Sequence, residues 1–371
     1  MYAVKNPYKP LFILGVLFGL MGVLIWLFFD VGLIAFYPRR AHIQIMFFAF
    51  FWSFVAGFLM TAIPHMTDSR LTCSLEVWLA SSLVLVQFIL NFFNRTDLAV
   101  FFYFIQLIFL LFFILSRFQK KRKLPFAGFL FLPAAFFLAI FGLINFIFYK
   151  DYKTLFLFAG EGFILNLIIG LGSRLVPALS RLPNLFMSHG TVLSFNYKAI
   201  SLKVFFLNLS FFVEYLGLLT MANVLRLIIL SYIGVVDFGL FKRGIVFGWL
   251  GLGLKMAIVF TLLGHGLRVV TSQFVSSSHL VYIGGFTLLT IMVATRVTLA
   301  HSQSNLDYEL NSKRIALICF LLLLGAVLRW NSTYSIDGTI FWSSVVLFAI
   351  SMVIWLDKHL RLTFNNCFKS Y

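Results

Sequence analysis

Residues 41–63, AHIQIMFFAFFWSFVAGFLMTAI, run without a single Asp, Glu, Lys or Arg and end against Pro64. A helix needs roughly 20 mostly apolar residues to cross the hydrocarbon core of a bilayer, and this run supplies them. Working outward, comparable runs fall near 11–29, 75–93, 98–116, 125–148 and 155–177. Others follow near 203–219, 221–240, 244–264, 278–300, 314–330 and 338–356. They predict an all-α integral membrane protein, a bundle of about twelve transmembrane helices, in a single polytopic domain over 1–371. The weakest boundary divides 203–219 from 221–240, at Met221-Ala222-Asn223. The runs are continuous rather than alternating, which excludes a β-barrel.

Composition agrees. The 371 residues are 61% hydrophobic and only 11% charged, with 49 Phe, and the mean hydropathy is +1.00. A soluble domain is nearer half apolar and about a quarter charged, so a soluble enzyme, a disordered scaffold and a nucleic-acid-binding protein are all excluded. The net charge of +17 sits in short loops, where it reports topology. An N-terminus inside puts Lys5, Lys9, Arg70, the Arg117–Lys123 cluster, Arg174, Arg181, Lys242 and Arg243 in the cytoplasm. The smaller set of Arg39, Arg40, Arg95, Lys150, Lys153, Arg268 and Arg329 falls outside, so both termini are expected to be cytoplasmic. The first run follows two lysines and lacks a small-residue cleavage site, so it is expected to remain as a helix. Cys73 and Cys367 fall on the reducing side and Cys319 lies within a span, so no disulfide is expected. No CxxC motif, nucleotide-binding loop or internal repeat is present.

Histidine carries the chemistry. His42 opens the second span and His279 the tenth, both entering from outside, which sets two imidazoles at matched depth on different helices. Bis-axial haem ligation requires that arrangement, with the porphyrin ring between helices and its propionates toward water. Gly284 and Gly285 would let a flat ring approach the backbone. Arg39, Arg40, Arg268 and Arg329 lie at the same surface for the propionates. The plainer alternative is an interfacial histidine bonding its own helix or water. At the inner face His65, His301, Arg174 and Arg296 could hold copper or a small anion, or simply anchor lipid headgroups. His189 and His359 read as solvated loop residues. Glu161, Glu214, Arg226 and Lys255 fall at similar depth in spans six to nine and should neutralise one another, with a proton route as the sharper alternative.

The stretch from His42 through Met46, Ala56-Gly57-Phe58-Leu59 and Thr61-Ala62-Ile63-Pro64 resembles the NnrS family's first motif. Gly172-Ser173-Arg174-Leu175-Val176-Pro177 is similar to its Gly-Gly-Arg-Val-x-Pro. His279 with Gly284-Gly285, followed by Arg296-Val297-Thr298-Leu299-Ala300-His301, is similar to its last. The resemblance implies a bacterial inner-membrane protein with haem and copper, tied to the nitric oxide response and denitrification. Beyond the lipid bilayer it implies nitric oxide or an electron donor as partner. Spans two and ten also look like the corresponding helices of the haem–copper oxidase catalytic subunit. There the positions of His42 and His279 hold the low-spin haem, here expected to be b-type. Ser277 stands where the reactive haem's ligand would be, and the oxidase copper motifs have no counterpart, which disfavours oxygen reduction. Within the NnrS pattern, Gly251 is the nearest position to a ninth-span histidine, His65 stands where Asn or Arg is common, and Ala49 replaces a Gly. The missing histidine removes a ligand from a copper site. The competing function is an ion-coupled transporter or a permease handling metal or haem, for which Gly-rich span nine with Lys255 is the hint.

Overall fold

The computed structural model describes residues 6–121, 126–182, 197–244, 246–271, 273–302, 307–334 and 338–364. His189 and Cys367 lie outside them. The helices are α1 (Tyr8–Asp30), α2 (Arg39–Thr67), α3 (Ser74–Phe92), α4 (Thr96–Gln119), α5 (Ala127–Tyr149) and α6 (Tyr152–Leu179). They continue with α7 (Tyr197–Tyr215), α8 (Leu219–Asp237), α9 (Trp249–Val270), α10 (Phe274–His301), α11 (Lys313–Asn331) and α12 (Thr339–Phe364). Among the described residues there is no strand, and eleven helices are long and apolar enough to span a membrane. The exception is α7, whose 19 residues include Lys198, Lys203 and Glu214.

Two boundaries differ from expectation for local reasons. The break after α7 falls at Gly217, whose φ of 89° suits a residue without a side chain, and Met221-Ala222-Asn223 belong to the first turns of α8. At the other end of the chain α12 runs to Phe364 rather than stopping near 356. Its extra turns carry His359.

The chain resolves into two compact units, 1–125 with 294–304 and 352–371, and 126–293 with 305–351. In the first, α1 meets α2 through glycines. A Cβ at Gly19 would lie 2.7 Å from the Phe50 ring, and one at Gly57 2.9 Å from Phe12. In lipid no hydrophobic effect drives helices together, so small residues that admit close packing take its place. Phe48 stacks on Tyr103 of α4 at 4.0 Å, with Trp52 edge-on to the same ring. The N-terminus of α3 is closed by Glu76, which accepts the Cys73 N–H at 2.9 Å and the Arg117 guanidinium of α4 at 2.7 Å. In the second unit α10 presses on α9: a Cβ at Gly284 would overlap the Phe260 ring, and one at Gly285 the Thr261 hydroxyl. Those glycines therefore admit α9 side chains, not the porphyrin ring anticipated from the sequence.

Four helices contain a π-helical turn: Met46–Phe51 in α2, Phe156–Gly162 in α6, Ile233–Asp237 in α8 and Leu280–Thr287 in α10. A π turn redirects the face beyond it, and such turns gather at functional sites. Three of the four adjoin or contain the residues singled out by their chemistry.

Candidate functional site

His42 sits in the first turn of α2, within a turn of the π segment that begins at Met46. Its Nδ1 lies 2.6 Å from the Gly22 carbonyl of α1, and Trp26 meets its ring edge-on at 5.7 Å. His279 occupies the residue just before the π segment of α10, with Nδ1 2.8 Å from the Val275 carbonyl one turn back. A carbonyl can only accept, so in both rings Nδ1 carries a proton. Metal-binding histidines are oriented in this way, by an outer bond at the nitrogen opposite the ligating one. Both side chains are half-buried. Gln44, two residues beyond His42, is wholly buried, and neither of its amide atoms has a hydrogen-bond partner among the described residues.

Of the predicted arginines, Arg39 and Arg40 are exposed at the start of α2. Arg329 is half-buried near the end of α11, donating to Ser332 Oγ at 3.0 Å and lying 5.4 Å from the Phe341 ring centre. Arg268 is not at the surface. It is buried and committed to a carboxylate, so it does not join a surface set with the others.

That carboxylate is Glu161, on the π segment of α6, and it organises the second unit. Arg268 Nη1 donates to Oε1 at 2.6 Å and Nη2 to Oε2 at 2.9 Å. Arg226 Nη1 reaches Oε1 at 3.3 Å and the Tyr282 hydroxyl donates to Oε2 at 2.5 Å. Arg226 also donates from Nε to Ser210 Oγ at 3.1 Å and makes ionic contact with Glu214 at 3.0 Å, though without hydrogen-bond alignment. Phe211 covers its guanidinium at 3.9 Å. His265 Nδ1 lies 3.4 Å from Arg268 Nη1. Arginine has no lone pair to offer, so that nitrogen accepts, and Nε2 carries its proton 4.0 Å from Glu161. Two carboxylates thus face two guanidiniums, which removes the cost of isolated charge in lipid and ties five helices, α6 to α10, at one point.

Sequence reasoning anticipated Glu161, Glu214 and Arg226 together. It placed Lys255 with them wrongly: Lys255 lies in the second turn of α9 and donates to the Lys242 carbonyl. It missed Tyr282, His265 and Arg268. The overlooked signal was helical spacing, since His265 and Arg268 are three apart and share a face.

A second cluster forms in the first unit, where the expected pair of His65 and His301 does meet. Their ring centres are 6.0 Å apart, and Tyr8 stacks on His301 at 5.3 Å. His359, expected in a solvated loop, is 2 % exposed. It lies flat on Trp355 at 4.7 Å and is 2.9 Å from Thr298 Oγ1. The cause is the extra length of α12. Arg174, expected nearby, packs over Phe126 in the other unit. No group of three or more His, Cys, Asp or Glu gathers for a metal among the described residues.

No curated protein matches this chain. The family described as NnrS protein matches it over residues 3–365. On that coverage, with the multi-pass helical architecture that carries its three motifs on α2, α6 and α10, the chain is a member of the NnrS family.

Proposed function

We propose that this chain is a haem-holding protein of the bacterial inner membrane that serves the response to nitric oxide, with His42 and His279 as the residues that would hold the haem. The observation that carries the reading is the fixing of both imidazoles through Nδ1, His42 by the Gly22 carbonyl of the neighbouring helix and His279 by the Val275 carbonyl of its own, as the histidines that hold a metal are fixed. When bound, a b-type haem supplies a one-electron couple within the membrane. Arg39, Arg40 and Arg329 are the residues for its propionates, and the Arg–carboxylate geometry favours them. Two histidines holding the haem would favour electron transfer over direct capture of the gas.

Copper, which the family implies, would fall to His65 and His301. Their ring centres stand 6.0 Å apart, and imidazole is a donor that suits copper. Such a pair would supply two nitrogen donors, and no third His, Cys, Asp or Glu joins them among the described residues. The permease alternative keeps only Gly-rich α9 and Lys255, which lies near the start of that helix and bonds the Lys242 carbonyl.

The test is the dithionite-reduced absorption spectrum and iron content of the purified protein. A b-type spectrum with one iron per chain is expected, lost in His42→Ala and in His279→Ala. Full haem retention in both variants overturns the assignment. Copper content should fall in His301→Ala without loss of haem.

A further inference from the structure

Where α9 begins, the second unit holds a cavity of about 340 Å³, lined by Gly251 but by no residue of the three motifs. Arg181, Lys242, Arg243 and Lys255 converge on it, against one carboxylate, Glu309, which Arg181 approaches at 3.8 Å. Among the described residues Lys242 and Arg243 have no ion-pair partner. Ser180 lines the same cavity; it is 6 % exposed, and its hydroxyl has no hydrogen-bond partner among the described residues. The N-terminus of α9, capped by Gly248 without a side-chain bond, opens onto the cavity through Leu250 and Gly251. Its first-turn amides and the helix dipole favour negative charge there. Gly244 keeps a wall thin, since a Cβ at that position would overlap the Ser180 carbonyl.

Basic residues at a membrane boundary ordinarily spread into water or among headgroups. Here Lys255 is instead tethered to the Lys242 carbonyl at the mouth of the same cavity. Repelling cations gathered around one half-open hollow call for an anion. The hollow is larger than a bare phosphate needs and lies at the lower end of small-molecule sites. Phe241, Val246 and Phe247 on its lining are exposed and apolar.

We infer that this cavity is a binding site for a phosphate-bearing anion, held by Lys242, Arg243 and Arg181 at the α9 N-terminus. The apolar rim favours an acidic phospholipid headgroup, whose phosphodiester enters while its chains remain in the bilayer. A soluble phosphate ester has the same chemistry and is the other source.

The full-length protein in neutral detergent is stripped of lipid and titrated with phosphatidylglycerol, phosphatidylcholine or inorganic phosphate. Bound lipid is counted by native mass spectrometry and stabilisation is read by thermal unfolding. Phosphatidylglycerol is expected to bind well above phosphatidylcholine. Lys242→Gln/Arg243→Gln should weaken it about tenfold or more, since charge-assisted bonds are lost. The variant should unfold at the wild-type temperature when no ligand is present. Arg95→Gln/Lys153→Gln removes equal charge elsewhere and should bind as wild type. An inert phosphate then identifies the headgroup, whereas phosphate stabilisation that the first double variant abolishes supports the same site with a soluble ligand. Equal binding of the two lipids with no phosphate effect, or equal loss in both double variants, overturns the proposal.

Discussion

Glu161→Gln is the most informative single perturbation of the second unit. The side chain keeps its shape, so no cavity forms and the effect is electrostatic. The amide oxygen at the Oε1 position still accepts from Arg268 Nη1 and Arg226 Nη1, which stand 2.6 and 3.3 Å away. The amide nitrogen, however, replaces Oε2, toward which Arg268 Nη2 and the Tyr282 hydroxyl now donate at 2.9 and 2.5 Å. The hydroxyl can turn and accept, but the guanidinium cannot, so one donor faces another. The larger loss is the charge itself: two guanidiniums with 0% exposed side chains would share Glu214 alone. Breaking a buried ion pair by removing one partner costs about 3–5 kcal/mol, and that range is expected here. The assay is denaturation of the detergent-solubilised protein by SDS, followed by intrinsic fluorescence. Arg361→Gln gives the contrast, because its i,i+4 pair with Asp357 has side chains 62% and 41% exposed and should change stability by about 0.5 kcal/mol or less. Adding Arg268→Met to Glu161→Gln should cost less than the two changes summed, with a coupling of about 0.5–3 kcal/mol. A loss for Glu161→Gln no larger than that for Arg361→Gln would refute the reasoning.

Other outcomes follow from single contacts. Gly19→Leu should overpack the α1–α2 seam, where even a Cβ lies 2.7 Å from the Phe50 ring, and lower stability by about 1–3 kcal/mol in the same denaturation. Glu76→Gln should strip the carboxylate from Arg117, whose side chain is 4% exposed, and cost about 3 kcal/mol while the cap to the Cys73 amide survives. His359→Leu keeps the volume against Trp355 but leaves Thr298 without its imidazole partner, so a loss of about 1 kcal/mol is expected. Unchanged haem and copper content in that variant would separate this structural role from the ligands nearby.

The second span, the mean hydropathy and the loop charges made the membrane class and the family legible from the chain, because lipid admits few ways to satisfy a backbone. A run of apolar residues long enough to cross must be helical whatever surrounds it. The π turns were not legible, since they come from packing against neighbouring helices and leave no local composition signal. Glycine was half legible. Its presence in α10 announced a close approach, but only the fold showed that Phe260 and Thr261, rather than a cofactor, make it.

Charge divides the same way. Glu161, Glu214 and Arg226 were visible as costly groups within apolar runs, and their mutual neutralisation followed from that cost alone. That Arg268 and His265 join them, that Lys255 turns instead to a basic hollow, and that His359 lies against Trp355 depended on where each helix ends and which way it faces. One-dimensional spacing sets the depth of a side chain in the bilayer, whereas its partner is set by the rotation and contact of whole helices.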